Sequence, residues 1–279
     1  MQIIDTKSLI EKQKTALKNE ISSLQDIPSL AIIQVDGISQ SDLYVKNKIK
    51  LAEEIGVKCN HIKFLKNCSQ LEIIQAIHSL NADEKTHGII VQLPLPKHLN
   101  EYEIINSINP CKDVDGLTIV QKGYAEEGDS RALYPCTAMG VVEIIKSQCD
   151  IKGLDVVVVN RSSLIGKPLQ KMLTNLDATV TLCHSKTKNL QEKMLNADIV
   201  ITGVGVAKKF NFFWFRDLQV IVDCSMNFDD GKICGDIDVN SLECLDVHIA
   251  SGKGHTGPFT VLSLMKNTVK ASKMLKKSF

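Results

Sequence analysis

Tyr44 and Lys48 stand four residues apart in a stretch whose apolar residues recur at helical spacing, so their side chains share one helix face. A ring beside an ammonium can hold a flat ligand and move a proton or charge on it. The plainer reading, a packed ring and a solvated amine, is the commoner one for such a pair taken alone. Polar groups at the ends of other segments favour chemistry. Gln92 closes the apolar run Gly88-Ile89-Ile90-Val91 and precedes Leu93-Pro94-Leu95-Pro96, where a carboxamide has little structural use. Asp115, in Lys112-Asp113-Val114-Asp115-Gly116, can accept hydrogen bonds from a ligand or simply make an Asx turn.

A second set lies further along. After Val156-Val157-Val158-Val159 comes Asn160-Arg161-Ser162-Ser163-Leu164-Ile165-Gly166-Lys167-Pro168, placed where a dinucleotide-binding domain keeps its phosphate-binding turn. It lacks the G-x-G-x-x-G pattern. It still offers the Ser162 and Ser163 hydroxyls, close backbone approach at Gly166, and Pro168 in the first turn of a helix whose N-terminus attracts phosphate. A strand-to-helix loop that binds nothing is an equally ordinary reading of this stretch by itself. The next strand ends in Cys183-His184-Ser185-Lys186-Thr187-Lys188, without the acid that holds a ribose diol in NAD-specific domains. Ser185 with Arg161 can instead hold a ribose phosphate, which favours NADP over NAD. Lys186 and Lys188 read as solvated charge. Gly203-Val204-Gly205 marks a third strand end at which backbone can approach the nicotinamide ribose.

The elements that must position these groups alternate. Helices are predicted from Thr6 to Leu24, from about Ser41 to Ile55, from the capping-box residues Ser69 and Glu72 through Leu80, and from Asn100 to Ile108. Strands are predicted at Ser29–Val35, Val57–Phe64 and Gly88–Leu93. The stretch Asn109–Pro135, with three glycines and no sustained period, reads as an inter-domain crossing, after which Thr137 caps a linking helix through Lys146. A second series has strands at Val156–Val159, Thr179–Leu182, Asp198–Ile201, Gln219–Asp223 and Asp246–Ile249, and a last helix at about Phe259–Lys276. Alternating strands and helices specify parallel sheets covered on both faces, with ligands at the C-terminal strand ends. The expected fold is therefore two-domain α/β: a catalytic domain over residues 1–118, with a helix at 259–279 packing back on it, and a Rossmann-like NADP-binding domain over 119–258, with a cleft between them.

Composition narrows the function. The 279 residues are 44% hydrophobic and 23% charged, which suits a globular protein, and a net charge of +1 gives no global field for nucleic acid or a membrane surface. Nine cysteines, odd in number and never spaced C-x-x-C, read as reduced thiols and not as a disulfide framework or metal site. No run of 18 apolar residues occurs, and the N-terminus lacks a basic segment followed by an apolar one. A soluble cytoplasmic enzyme without metal is expected.

Together the segments resemble the bifunctional methylenetetrahydrofolate dehydrogenase/methenyltetrahydrofolate cyclohydrolase family. The ordered matches are Tyr44-Val45-Lys46-Asn47-Lys48, Gly88 through Pro96, Lys112 through Leu117, Pro135-Cys136-Thr137, Arg161-Ser162 with Gly166 and Pro168, His184 through Thr187, and Gly257-Pro258 with Thr260-Val261. The resemblance implies NADP-dependent oxidation of 5,10-methylenetetrahydrofolate and hydrolysis of the methenyl product to 10-formyltetrahydrofolate, in one-carbon metabolism feeding purine biosynthesis, by a homodimer paired through the dinucleotide domain. It implies Lys48 as the acid-base or cationic group at the one-carbon unit, Gln92 bonded to it, Tyr44 on the aminobenzoyl ring and Asp115 on the pterin, with Val91, Leu93, Gly257 and Pro258 lining the folate. It implies Asn160, Arg161, Ser162, Ser185 and Met226 around NADP.

The departures from the family pattern lie on the cofactor side. Asn160 replaces a usual glycine, an addition expected to crowd the pyrophosphate or shift the turn. Ser225-Met226 replaces Gly-Ile, and Ala250-Ser251-Gly252-Lys253-Gly254-His255-Thr256-Gly257-Pro258 has lost prolines and a glycine, with Lys253 and His255 read as surface positions. Hydrolysis is accordingly expected to be kept more fully than hydride transfer. The alternatives are a cyclohydrolase-only member, an NADP-dependent dehydrogenase of a small hydroxy acid, and a non-catalytic binding protein on the same scaffold.

Overall fold

The computed structural model describes residues 1–37, 39–229, 231–252 and 254–276. The chain packs as two compact units: Lys12–Cys136 with Val261–Phe279, and Met1–Glu11 with Thr137–Thr260. The packing boundary falls at Cys136/Thr137, because residues after 118 are tied to the earlier chain: Gln121 donates from Nε2 to the Pro110 carbonyl at 2.7 Å and accepts at Oε1 from the Leu133 N–H at 2.7 Å.

The first of these is a three-stranded unit. Its helix α1 (Thr6–Ser22, which starts in the other unit) leads to β2 (Ser29–Val35), α2 (Ser39–Ile55), β3 (Lys58–Phe64), α3 (Gln70–Ala82), β4 (Gly88–Val91) and α4 (Glu101–Asn106). The strands run parallel in the order β3-β2-β4, and a further parallel bridge joins Ile89 to Asp113. Ala31, Ile33 and Val35 of β2 face the core formed with Ile73 and Ile77 of α3 and Ile104 of α4. Each such side chain fully removed from water contributes about 1.5–3 kcal/mol. The expected capping box is present: Ser69 Oγ accepts from the Glu72 N–H, and the Glu72 carboxylate accepts from the Ser69 N–H.

Two expectations are corrected here. The stretch 109–135, read as having no sustained period, contains α5 (Ile119–Glu127), started by Thr118, whose side chain accepts from the Gln121 N–H, and stopped by Gly128 in the left-handed region at φ 65°. Thr137 does not cap the next helix either, since α6 (Cys136–Lys146) has already begun before it.

The six-stranded unit contains β5 (Asp155–Val159), α7 (Gly166–Thr174), β6 (Thr179–Cys183), α8 (Leu190–Asn196), β7 (Ile199–Thr202), β8 (Val220–Asp223) and β11 (His248–Ala250). All are parallel, in the order β1-β11-β8-β7-β5-β6, where β1 (Gln2–Ile3) is contributed by the N-terminus. Alternate residues of β5 face opposite cores, Val156 and Val158 on one side and Val157 and Val159 on the other, as a sheet covered on both faces requires. A hairpin of β9 (Asn227–Asp229) and β10 (Lys232–Cys234) follows β8. The last helix, α9 (Gly257–Lys276), begins in this unit and ends in the three-stranded one; residues 277–279 of the expected helix lie outside the described residues.

Candidate active site and cofactor site

Lys48 leaves α2 one turn after Tyr44, and its Nζ donates to Gln92 Oε1 at 2.9 Å. Gln92 sits directly after β4 and is only 8% exposed. Its Nε2 donates to the Leu93 carbonyl at 2.7 Å, which fixes the rotation of the carboxamide so that its oxygen faces the amine. Val91 is buried and Leu93 half-buried on either side of it, and the Leu93–Pro94 peptide is cis. Tyr44 is 41% exposed, so its ring is available to a ligand.

Asp115 is half-buried on a loop that neighbouring groups hold from several directions. The Asp113 carboxylate accepts from the N–H groups of Gly116 at 3.0 Å and Thr118 at 2.7 Å, and burial pushes its pKa up to about 6. Lys112 turns its buried Nζ onto the carbonyls of Leu80, Asn81 and Asp83, the end of α3, at 2.7–3.0 Å. Gly116 has φ 68°, and a Cβ there would meet the Leu133 carbonyl oxygen at 2.1 Å, so the loop runs against the segment at 133–135 with no room for a side chain. From α9, Asn267 Nδ2 donates to the carbonyls of Val114 and Tyr134, both at 2.9 Å. The Cys136 thiol reports what surrounds it: burial pushes its pKa well up, Asp115 adds to that, and Lys48 opposes it. Lys48 and Gln92 are thus brought together, with Tyr44 on the same helix as Lys48, while Asp115 and Lys48 both act on the Cys136 thiol. Asp113 and Asn267 were not read from the sequence. Nothing in the sequence marks Asn267, whereas Asp113 shares the Asp-Val-Asp-Gly stretch with Asp115 and was passed over for its neighbour.

Gly257 and Pro258 open α9, exposed, within the six-stranded unit. His255, read as a surface position, is half-buried: its Nδ1 lies 3.1 Å from Thr6 Oγ1, and burial lowers its pKa. Lys253 lies outside the described residues.

In the six-stranded unit the expected phosphate turn connects β5 to α7. A Cβ at Gly166 would meet the Asn160 carbonyl oxygen at 1.9 Å, so only glycine lets the helix start this close to the strand end. Asn160 does not project as expected from its size. Its side chain is drawn into the turn, where Oδ1 accepts from the N–H groups of Ser162 at 2.8 Å and Gly166 at 3.0 Å and Nδ2 donates to the Gly203 carbonyl at 2.5 Å. Register pairs Val159 with Cys183, so Arg161 and Ser185 occupy equivalent places past neighbouring strand ends, and both are exposed. Met226, 54% exposed, stands after β8. A guanidinium, the hydroxyls of Ser162 and Ser185 and the absence of an acid after β6 form a donor set that fits a ribose phosphate. Among the described residues no group of three or more His, Cys, Asp or Glu is placed to hold a metal, and no helix is long and apolar enough to cross a membrane.

Two family models match the chain. The one described as tetrahydrofolate dehydrogenase/cyclohydrolase, catalytic domain, covers residues 4–115, and the one described as tetrahydrofolate dehydrogenase/cyclohydrolase, NAD(P)-binding domain, covers residues 135–276. The bifunctional protein FolD of Halalkalibacterium halodurans is 38% identical over 275 residues, spanning 97% of this chain and 98% of that protein. The bifunctional enzyme FolD, methylenetetrahydrofolate dehydrogenase/cyclohydrolase, from Campylobacter jejuni superposes with a TM-score of 0.95 at 36% identity, covering 98% of this chain and 99% of its own. The Trypanosoma brucei enzyme, solved with NADP cofactor and an inhibitor, gives a TM-score of 0.91 at 29% identity over 98% of this chain and 97% of that one. With both domain models matched in order and relatives aligned from end to end, this chain belongs to the tetrahydrofolate dehydrogenase/cyclohydrolase family.

Proposed function

We propose that this protein oxidises 5,10-methylenetetrahydrofolate with NADP and hydrolyses the resulting 5,10-methenyltetrahydrofolate to 10-formyltetrahydrofolate, with the three-stranded unit holding the folate and the six-stranded unit the cofactor. The observation that carries this reading is the Lys48–Gln92 hydrogen bond of 2.9 Å at the end of β4, in a chain matched by both domain models of the family. The match to both domain models and the end-to-end alignment with bifunctional relatives favour the folate reading over a dehydrogenase of a small hydroxy acid.

Both steps act on one carbon, the bridge between N5 and N10. When bound, NADP supplies the acceptor for the hydride that leaves this carbon. Tyr44 packs on the aminobenzoyl ring, Asp115 takes paired hydrogen bonds from the pterin, and Val91 and Leu93 line the folate. Lys48 stands at the bridge: its ammonium orients the water that adds to the methenyl carbon with loss of one proton to solvent, gives a proton to N5 as the C–N5 bond breaks, and recovers one from the carbinol hydroxyl as the formyl C=O forms. Gln92 keeps the amine pointed at that carbon. Asn160, Arg161, Ser162, Ser185 and Met226 surround the cofactor, with Arg161 and Ser185 on the ribose phosphate. Because Met226 departs from the family pattern in this second group while Tyr44, Lys48, Gln92 and Asp115 keep to it, hydrolysis is held more fully than hydride transfer. The same reading gives a cytoplasmic homodimer, paired through the six-stranded unit, that supplies one-carbon units to purine biosynthesis; sedimentation of the purified protein checks the dimer.

The functional test is to assay the two steps separately on one preparation, hydride transfer by NADPH absorbance and hydrolysis by loss of the methenyl chromophore. Lys48→Met is expected to reduce hydrolysis to a small residual rate while the protein stays folded. Hydrolysis persisting at the wild-type rate in that variant would overturn the assignment.

A further inference from the structure

Two acidic side chains, Asp223 and Asp236, are buried at the C-terminal edge of the six-stranded sheet, 1% and 0% exposed. Asp236 gathers five donors. Its carboxylate accepts from three successive backbone N–H groups, Val204 at 2.5 Å, Gly205 at 3.0 Å and Val206 at 2.9 Å, and from Ser225 Oγ at 2.7 Å and Asn227 Nδ2 at 3.0 Å. Three consecutive N–H groups converging on one carboxylate make the turn after β7 a nest folded around an internal anion. Ser225 Oγ in turn accepts from the Gly205 N–H at 3.1 Å, so the turns after β7 and β8 share the same clasp. Asp223, the last residue of β8, extends it: the carboxylate accepts from the Ser225 N–H at 3.0 Å, the Ile237 N–H at 3.0 Å and Ser251 Oγ at 2.8 Å, which adds the segment after β11. On the other side, Asn160 Nδ2 reaches the Gly203 carbonyl and adds the turn after β5.

A buried carboxylate gives up its hydration, which an apolar side chain would not, but an apolar side chain would leave the five donors unpaired. What the carboxylate supplies instead is a fixed direction for three N–H groups and two side chains on separate turns. In parallel sheets those turns are where ligands are held. We propose that Asp236 is a positioning residue of the dinucleotide site: it sets the 203–206 and 225–227 turns in the arrangement that receives the nicotinamide half of NADP, acting through them without touching the cofactor. This rests on the reading of the six-stranded unit as the NADP site.

Asp236→Asn tests it, because the amide keeps the shape but turns N–H groups toward donors. NADP binding measured by calorimetry, with no turnover, is expected to weaken about tenfold or more, as loss of several hydrogen bonds at a buried acceptor implies. KM for NADP in the hydride step rises in parallel, with a smaller change in kcat, while methenyl hydrolysis stays near wild type and shows that the chain is folded. Unchanged NADP affinity in a variant that still hydrolyses would overturn the proposal. Should Asp236→Asn lose both activities together, Ser225→Ala, which removes one donor, decides: a loss of about threefold in NADP affinity with hydrolysis retained supports the proposal, and unchanged affinity overturns it. Wild-type protein that hydrolyses methenyl-folate yet binds no NADP would instead overturn the reading beneath it.

Discussion

Replacing Gln92 by Met removes the carboxamide while nearly keeping the side chain's length, and the structure says how the loss divides. Oε1 accepts from the Lys48 ammonium at 2.9 Å, and the group is 8% exposed, so water replaces it poorly. A hydrogen bond to a charged group is worth about 1.5–3 kcal/mol net. If the bond serves to aim Lys48 at the reacting carbon, that energy is felt in the barrier, and at about 1.36 kcal/mol per decade the hydrolysis rate falls about 10- to 150-fold. The other half of the carboxamide has a separate consequence. Nε2 donates to the Leu93 carbonyl at 2.7 Å, and since Leu93 is half-buried, losing that bond costs about 0.5–1.5 kcal/mol of folding stability. Single-turnover decay of the methenyl chromophore reads the first effect and urea unfolding the second. The cycle with Lys48→Met separates aiming from bulk: a residue that acts through Lys48 should lose its kinetic effect when the amine is gone. Gln92→Met hydrolysing within about twofold of wild type, below the smallest loss the hydrogen bond predicts, or lowering the residual rate further in the Lys48→Met background, would refute the reasoning.

Two further perturbations address the Asp115 loop. Gly116→Ala must place a Cβ 2.1 Å from the Leu133 carbonyl oxygen at φ 68°, so it should cost about 1–2 kcal/mol for the left-handed backbone and about 1–3 kcal/mol for the clash, and raise KM for folate more than it lowers kcat; wild-type urea stability would contradict it. The Asp113 carboxyl, lifted from 3.8 to about 6, makes the folded state bind more protons than the unfolded one between those values. Its stabilising contribution is therefore complete below about pH 3.8 and lost as the pH rises through about 6, a change of about 3 kcal/mol by linkage. In urea titrations the stability of wild type relative to Asp113→Asn should fall by about that amount from pH 4 to pH 7, and a difference that is flat or rises with pH would show that the carboxyl is not buried as described.

What the sequence made legible follows from how local its physical cause is. The run Ser29–Val35 matches β2 residue for residue, because a strand buried on both faces announces itself by its own apolar content, and the Ser69/Glu72 box is a contact between residues three apart. Lys48 and Gln92 were legible for a related reason: Lys48 shares a helix face with Tyr44 and Gln92 follows the end of a strand, both elements whose type was already clear, and the 2.9 Å bond joins the two. The helix α5 carried its signals in Thr118 and Gly128, but three glycines across the stretch read more strongly as loop. Strand β1 is two residues long and owes its existence to His248 and Ile249, so no window of sequence contains its cause.

Asn160 and Asp236 mark the deeper limit. The size of Asn160 invited the inference that it obstructs, yet size matters only after direction is known, and its direction is set by the N–H groups of Ser162 and Gly166 and by a carbonyl across the sheet. Asp236 is one of many acids in the chain, and only the convergence of donors from Val204 to Val206 and from Ser225 and Asn227 distinguishes it from a solvated one. Lys48 and Gln92 sit on elements whose type is predictable from local sequence, whereas groups that hold the turns in place are chosen by partners distant in sequence. The residues that depart from family pattern therefore need judging by the bonds they make: Asn160 replaces the freedom of a glycine with three hydrogen bonds, a substitution of one way of fixing the turn for another.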